Sequence, residues 1–326
     1  LSPGGYEHEA GQHDDENALI PNAFSDTAMI YLIGNTTRDT ITIKRHTVKF
    51  VGGTVWYAAL FLLKLGRPVA VVGHGDPEIR RLLARHGADV RHLKTGAPVA
   101  VFENIYASGG RRQLARPGRA ILPGDVPAAV SAADAVLAGP VLQEIDTAIF
   151  KASRTGLMML DGQGILRHLQ SDGRVTLRMT PTAAMAIGRS DILKVDAAEA
   201  AVMAETEDVT TALRRLHQLG PQIVIITRGE RGVCLFDGYR VVRMAAPAVN
   251  CIDPTGAGDV FDAAFLVRFV DARDMLTAGR FAVAAAALST RGFGVSALPS
   301  KSEIEGLVAQ HFKKPMTVQV EEGGYR

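Results

Sequence analysis

The sequence holds only two cysteines, Cys234 and Cys251, and a single tryptophan, Trp56. Two thiols build no disulfide framework and no zinc-ligand cluster, which fits a reducing compartment and sets the expectation of a cytoplasmic protein. Charge of one sign is also lacking. Lys and Arg number 36 against 34 Asp and Glu, and a net charge of +2 gives no electrostatic reason to expect nucleic acid or a membrane surface as partner. No apolar run approaches the roughly 18 residues of a membrane span, and the first residues lack the basic-then-apolar pattern of a signal peptide. Two nucleotide-site motifs are missing as well: there is no Gly-x-x-x-x-Gly-Lys-Ser/Thr loop, and no Gly-x-Gly-x-x-Gly follows the first apolar run. What is present is apolar bulk. At 326 residues and 47% hydrophobic, the chain can bury the core of one large α/β domain or two ordinary ones.

Residues 1–27 show no sustained periodicity and read as a loose leader, with the fold starting near Ala28. Met29 to Ile33 is a buried first strand ended by Gly34. Thr40 to Phe50 alternates β-branched and polar residues, giving one or two strands, and the diglycine Gly52-Gly53 opens an Ala/Leu-rich helix that stops at Gly66. Pro68 to Gly75 is a second buried strand, and Asp76 caps a helix to His86. Pro98 to Tyr106 and Arg111 to Leu114, about the turn Ser108-Gly109-Gly110, read as a hairpin. Strands at 135–139, 157–161, 191–195 and 223–227 then alternate with helices, one of them expected around 143–154, the pattern of a parallel sheet covered on both faces. A hairpin about Asp237-Gly238, a helix through Phe281 and Leu288, and a closing helix from Glu303 to Phe312 complete the domain. The tail, residues 313–326, is expected to be loose.

One stretch carries the chemistry: Asp253-Pro254-Thr255-Gly256-Ala257-Gly258-Asp259. Proline and glycine forbid regular structure up to Gly258, and good helix formers follow, so a helix should begin there. Unpaired N–H groups at its first turn, with the positive end of the helix dipole, suit an anion, and glycines let a phosphate come close. Asp259 then adjoins that anion. A short Gly-x-Gly-Asp alone would more often be a capped turn. In the sharper reading, the carboxylate takes the proton of a hydroxyl that attacks the phosphorus.

The longer string, Asp253 to Phe265, resembles the C-terminal signature of the PfkB, or ribokinase-like, carbohydrate kinase family, with Pro254 in place of a threonine. Gly52-Gly53 followed by Tyr57 and Ala59 resembles the family's N-terminal signature, with Tyr57 where most sugar kinases carry Asn. The resemblance covers about residues 29–312. It implies a three-layer α/β/α fold with a mostly parallel central sheet and a small β lid, built as a domain over 28–312. About 40–50 and 97–115 would form the lid, a reduced one. It implies an ATP-dependent kinase for a small polyol, most simply a sugar, with a nucleoside or a cyclitol as the alternative acceptor. A member that binds a small molecule without phosphoryl transfer is the rival from another class.

On that resemblance Asp259 is the base, and Gly256, Ala257 and Gly258 hold the transferring phosphoryl group. Asp39, Gly52, Gly53 and Tyr57 contact the acceptor, with Trp56 a second candidate wall for a planar one. Thr227, Gly229, Gly232, Gly256, Gly258 and Gly292 bind the nucleotide. Asp196 and Glu199, three apart on one helical turn, read either as a capping box or as a pair that organises Mg²⁺ through water. Asp253 and Thr255 match a monovalent-cation site that would take K⁺. Asp161, Gln163 and Arg167 stand where many relatives have an Asp-x-Asn-x-x-Arg run. The basic set Arg111, Arg112, Arg116 and Arg119 reads either as a contact for a charged substrate or, more simply, as a solvated hairpin face. The chain is expected to be a monomer or a homodimer.

Overall fold

The computed structural model describes residues 29–43, 46–107, 110–151, 156–313 and 317–320. The leader, residues 1–27, and the Ser108-Gly109 turn lie outside them. The first apolar run forms β1 (Ile30–Ile33), and the chain leaves the core for β2 (Thr37–Ile43) and β3 (His46–Gly52). It returns through α1 (Thr54–Lys64), β4 (Val69–His74), α2 (Pro77–Arg85) and the short β5 (Leu93–Lys94). A second excursion makes β6 (Ala100–Ala107) and β7 (Gly110–Arg116). Then come β8 (Ala135–Ala138), β9 (Leu157–Asp161), α3 (Gln163–Leu166), the hairpin β10 (Arg167–Leu169) and β11 (Val175–Leu177), and α4 (Pro181–Ile187). The last part runs β12 (Ile192–Asp196), α5 (Ala197–Ala204), α6 (Val209–His217), β13 (Ile223–Thr227), β14 (Val233–Phe236), β15 (Arg240–Met244), α7 (Ala257–Ala272), α8 (Met275–Ser289), α9 (Lys301–His311) and β16 (Thr317–Val320).

The main sheet has ten strands in the order β16-β15-β14-β13-β12-β9-β8-β1-β4-β5. From β13 to β5 the strands are parallel, and β14, β15 and β16 extend the sheet antiparallel. Successive side chains of a strand point to opposite faces, so an apolar run buried on both sides must feed two cores. Ile30 and Leu32 of β1 enter one core with α1, α2, α7, α8 and α9, while Tyr31 and Ile33 enter the other with α4, α5 and α6. This makes the three layers. Strand order reverses at β1, which lies between β4 and β8, so the carboxyl ends of the central strands open on a crevice where such sheets take ligands.

The second sheet, β3-β2-β6-β7, is the lid. It is larger than expected, because β2 begins at Thr37 and β3 runs to Gly52. Asp39 therefore stands in a lid strand. The β7 edge is met near its end by the β10–β11 hairpin, which the sequence did not announce: Leu114 bridges to Arg174, and Ala115 N donates to Gly173 O at 2.9 Å.

Two expectations are corrected. Of the helix around 143–154, the described residues form only a short 3₁₀ turn, Thr147–Lys151, preceded by Gln143 at φ 57°; residues 152–155 lie outside the described set. Within the tail, Thr317–Val320 are ordered as the edge strand β16, paired with β15. No described helix is long and apolar enough to cross a membrane.

Candidate active site

The chain enters α7 through Gly256 at φ 81°, the left-handed region that favours glycine. A Cβ there would also lie 2.4 Å from ring carbons of Tyr57, so Tyr57 packs directly on the turn. Ala257 N turns back to Pro254 O at 3.2 Å, while Gly258 N and Asp259 N carry no backbone partner among the described residues. Of the expected anion donors, then, Ala257 is already engaged. Asp259 occupies the first helical turn, as the glycine spacing requires.

Two cavities meet at this turn. The smaller, about 300 Å³, lies under the lid and is lined by Asp39, Phe50, Phe102, Asn104 and Gln113, by Gly53, Thr54 and Tyr57, and by Gln163, Arg167, Thr255 and Asp259. The larger, about 840 Å³, runs along the carboxyl ends of β12 and β13. Its polar end carries Lys194, Asp196, Glu199, Thr227, Gly229 and Gly232, and its far wall is apolar, with Val249, Phe261, Val283, Ala286 and Ala287. Gln163, Pro254, Gly256 and Asp259 line both.

The electrostatics follow from burial and crowding of carboxylates. Burial, and then the charge of Asp161, push the Asp259 carboxyl up to about 6, against the pull of Lys194, the Thr54 hydroxyl and Arg167. Burial likewise lifts Asp39 to about 6, opposed by the Thr37 hydroxyl and Arg167. Glu199 is raised to about 7 by burial and by the charges of Asp161 and Asp196. Burial opposes the charge on Lys194, yet the surrounding carboxylates, Asp161 first and then Asp262, outweigh it and keep the ammonium protonated.

Most of the residues singled out from sequence converge here. Asp39, Gly53, Tyr57 and Thr255 line the smaller cavity with Asp259, and a Cβ on Gly52 would meet the Asp39 carboxylate at 2.2 Å, so Gly52 backs that side chain. Asp196, Glu199, Thr227, Gly229, Gly232, Ala257 and Gly258 line the larger one. Asp196 and Glu199 do form the capping box: Glu199 N donates to Asp196 Oδ1 and Asp196 N to Glu199 Oε2, both at 2.8 Å. Each keeps its other oxygen, so a cap and a water-bridged cation are compatible at this spot. Three residues fall elsewhere. Gly292 lies beyond α8 and lines neither cavity, whereas Thr290 lines the larger. Asp253 ties two loops, accepting from Thr255 N at 3.0 Å and Gly294 N at 3.1 Å. Trp56 is 7% exposed and packs in the core, away from both cavities, which removes it as a wall for a planar substrate. Arg116 and Arg119 are exposed, Arg116 facing Glu103 at 3.7 Å, and the side chains of Arg111 and Arg112 lie outside the described set.

Other contributors were not read as site residues. Arg167 lies over the Phe102 ring, 5.2 Å from its centroid, and donates to Val141 O at 3.1 Å and to Gln163 Oε1 at 2.9 Å. Gln163 Nε2 in turn donates to Thr54 Oγ1 at 2.9 Å and Asp161 Oδ2 at 3.2 Å, joining the two cavities' walls. The buried carboxylate of Glu144 accepts from Asn35 N at 3.2 Å, Val141 N at 2.9 Å and Leu142 N at 2.7 Å, fixing the loop floor below Arg167. A lone Glu in an irregular stretch gives no pattern to detect. Lys194 did leave a signal, a cation inside the apolar strand Ile192–Asp196.

A family model described as pfkB family carbohydrate kinase matches residues 21–302. The ribokinase of Bacillus subtilis is 39% identical over 92 residues, 28% of this chain and 31% of that enzyme. The 2-dehydro-3-deoxygluconokinase of Thermoproteus tenax is 28% identical over 256 residues, 72% of this chain and 77% of that enzyme. The chain spans about a third of the length of the first curated relatives it matches. Among solved structures, a pyrophosphate-dependent kinase in the ribokinase family, complexed with a pyrophosphate analog and myo-inositol, has a TM-score of 0.74 at 23% identity. That likeness covers 85% of this chain and 99% of the other.

Proposed function

The chain belongs to the pfkB family of carbohydrate kinases, and on that premise we propose that it transfers the γ-phosphoryl group of ATP to a hydroxyl of a small sugar or cyclitol. The observation that carries this reading is the shared wall: Asp259 and Gly256 line both cavities at once. A base placed there reaches an acceptor hydroxyl on one side and faces a donor phosphate on the other, the arrangement that in-line transfer needs.

The size of each cavity supports its assignment. About 300 Å³ is at the low end for ligand pockets and suits a single polar ring more than a nucleoside. Asp39, Asn104, Gln113 and Arg167 offer it hydrogen bonds, and the aromatic rings of Phe50, Tyr57 and Phe102 close its sides. The larger cavity joins a polar phosphate end to an apolar wall of valines and alanines, which fits a triphosphate carrying a base. Pyrophosphate alone would leave that wall uncovered.

In the step itself, the acceptor O–H gives its proton to Asp259 as the new O–P bond forms and the bond to the β-phosphate oxygen breaks, leaving ADP and a phosphate ester. The free N–H groups at the start of α7 meet the charge on the transferring oxygens. Arg167 and Asp39 orient the acceptor. The spare oxygens of Asp196 and Glu199 suit the water shell of Mg²⁺, which would neutralise donor charge. A monovalent cation beside Asp253 and Thr255 would stiffen the loop that leads into α7.

The test is a matrix of donors and acceptors, ATP and pyrophosphate against pentoses, hexoses, inositols and ribonucleosides, run beside Asp259→Asn. Turnover with ATP and a sugar or inositol is expected, and the variant should lose ~10²–10⁴-fold in kcat with nucleotide affinity kept. Near-normal kcat in Asp259→Asn would overturn the mechanism, and turnover only with pyrophosphate would overturn the donor.

A further inference from the structure

The carboxyl end of β12 hides an ionic cluster that the reading above does not use. Lys194 is 5% exposed, and Asp161 and Asp262 are fully buried. Lys194 Nζ donates to Asp161 Oδ2 at 3.1 Å and stands 3.3 Å from Asp262 Oδ2. The Asp262 carboxylate has no hydrogen-bond partner, although it is buried inside α7. Asp161, Asp259 and Asp262 all place an oxygen within 4.8 Å of one another. Buried ion clusters of this kind are weak sources of stability, because desolvating the charges offsets most of their attraction. Three carboxylates around one ammonium call for another explanation.

Geometry supplies one. A Cβ on Gly258 would lie 3.2 Å from Lys194 Nζ, so the ammonium is directly under the glycine turn that receives the phosphoryl group. Lys194 also lines the larger cavity, where Asp196, Glu199, Glu230 and Asp259 are its charged companions. It is the one cationic side chain on that wall among the described residues. A polyphosphate brought to this acidic end would meet net repulsion from the protein without it. An ammonium has three donors, and Asp161 and Asp262 engage at most two of them, so one remains for the cavity.

We propose that Lys194 is a phosphoryl-binding residue, whose ammonium contacts the terminal phosphoryl group of the donor and is held under the glycine turn by Asp161 and Asp262. The inference rests on the kinase reading. Asp161 and Asp262 are positioning residues: they act through the lysine, and fixing its long side chain in advance removes the ordering cost that a free lysine would bear on each turnover. The alternation of β12 explains why a lysine is possible here. Ile192 faces the α7 layer and Leu193 and Val195 the other, so position 194 points at α7, where Asp262 waits.

The experiment compares binding of ADP and of the β,γ-imido analogue of ATP by calorimetry, in the full chain and in Lys194→Met and Asp262→Asn, with kcat measured on the acceptor found above. Lys194→Met should weaken the analogue ~10–100-fold, the effect of losing a charge-assisted hydrogen bond, and ADP less than about threefold. Asp262→Asn keeps shape and should move the analogue in the same direction by less, so it decides the matter if Lys194→Met does not fold. A lysine that merely fills space would lower Tm and shift both nucleotides alike, or neither, and either result overturns the proposal while the kinase reading stands. Unaltered protein that binds neither nucleotide would overturn both.

Discussion

At the scale of single residues, the site is governed by carboxylates held where water is scarce. In the proposed mechanism Asp259 and Asp39, both pushed up to about 6, must be ionised to take a proton and to accept hydrogen bonds from a polyol. Their folded pKa values lie above the usual carboxylate range, so activity is present above that value and lost as pH falls through it. With two such groups, kcat/KM should fall more steeply than tenfold per pH unit below about pH 6, and a profile over about pH 5 to 9 with ATP saturating checks it. A limb that begins only near pH 4 would show that neither carboxylate carries the raised value. Single positions were also where the sequence was least legible. The glycines announced the turn into α7 because Gly256 needs its positive φ, and the place of Asp259 followed from the helix that had to start there. Glu144 gave no such pattern, and the run Asp161, Gln163 and Arg167 matched relatives without telling what its members do, because these roles come from hydrogen bonds to residues 26 to 109 positions away.

Among the elements, the helices and central strands could be read because each has a local cause. Asp76 accepts from Ile79 N at 2.9 Å with Pro77 in the first turn, and α2 starts where that pair says it should. The same Asp76 also meets Arg38 of the lid at 2.6 Å, and Arg38 reaches Glu78 as well. Those ion pairs are half exposed and worth ~0.2–1 kcal/mol, whereas the cap is worth ~0.5–2 kcal/mol. Asp76→Ala should therefore cost more stability in urea than Arg38→Ala, while Arg38→Ala, by loosening the link from lid to α2, should raise KM for the acceptor and leave KM for ATP unchanged. What could not be read was pairing between distant segments. Nothing local tells 167–169 and 175–177 that they will form a hairpin against β7, or Thr317–Val320 that β15 has a free edge.

For the molecule as a whole, the apolar alternation of the central strands dictates two cores, and α7, which carries Asp259 of the candidate site, belongs to the first. Phe265 is fully buried at its middle and stacks between Phe261 and Phe269, with ring centroids 6.1 and 5.8 Å away. Phe265→Ala should lower unfolding free energy by ~3–5 kcal/mol in urea titration, the cost of a large cavity in a packed interior. A loss under about 1 kcal/mol would mean that the layer repacks freely around α7.

The hairpin that touches the β7 edge sets the two borders of the lid apart. With Ala115 N bonded to Gly173 O, that side of the lid is tied to the turn between β10 and β11. The opposite border, β3, carries Phe50 at the cavity and Val48 turned outward to solvent at 63% exposure. On the proposed function, the acceptor's cavity has Phe50 for its lip on this border, the strand that ends in the diglycine.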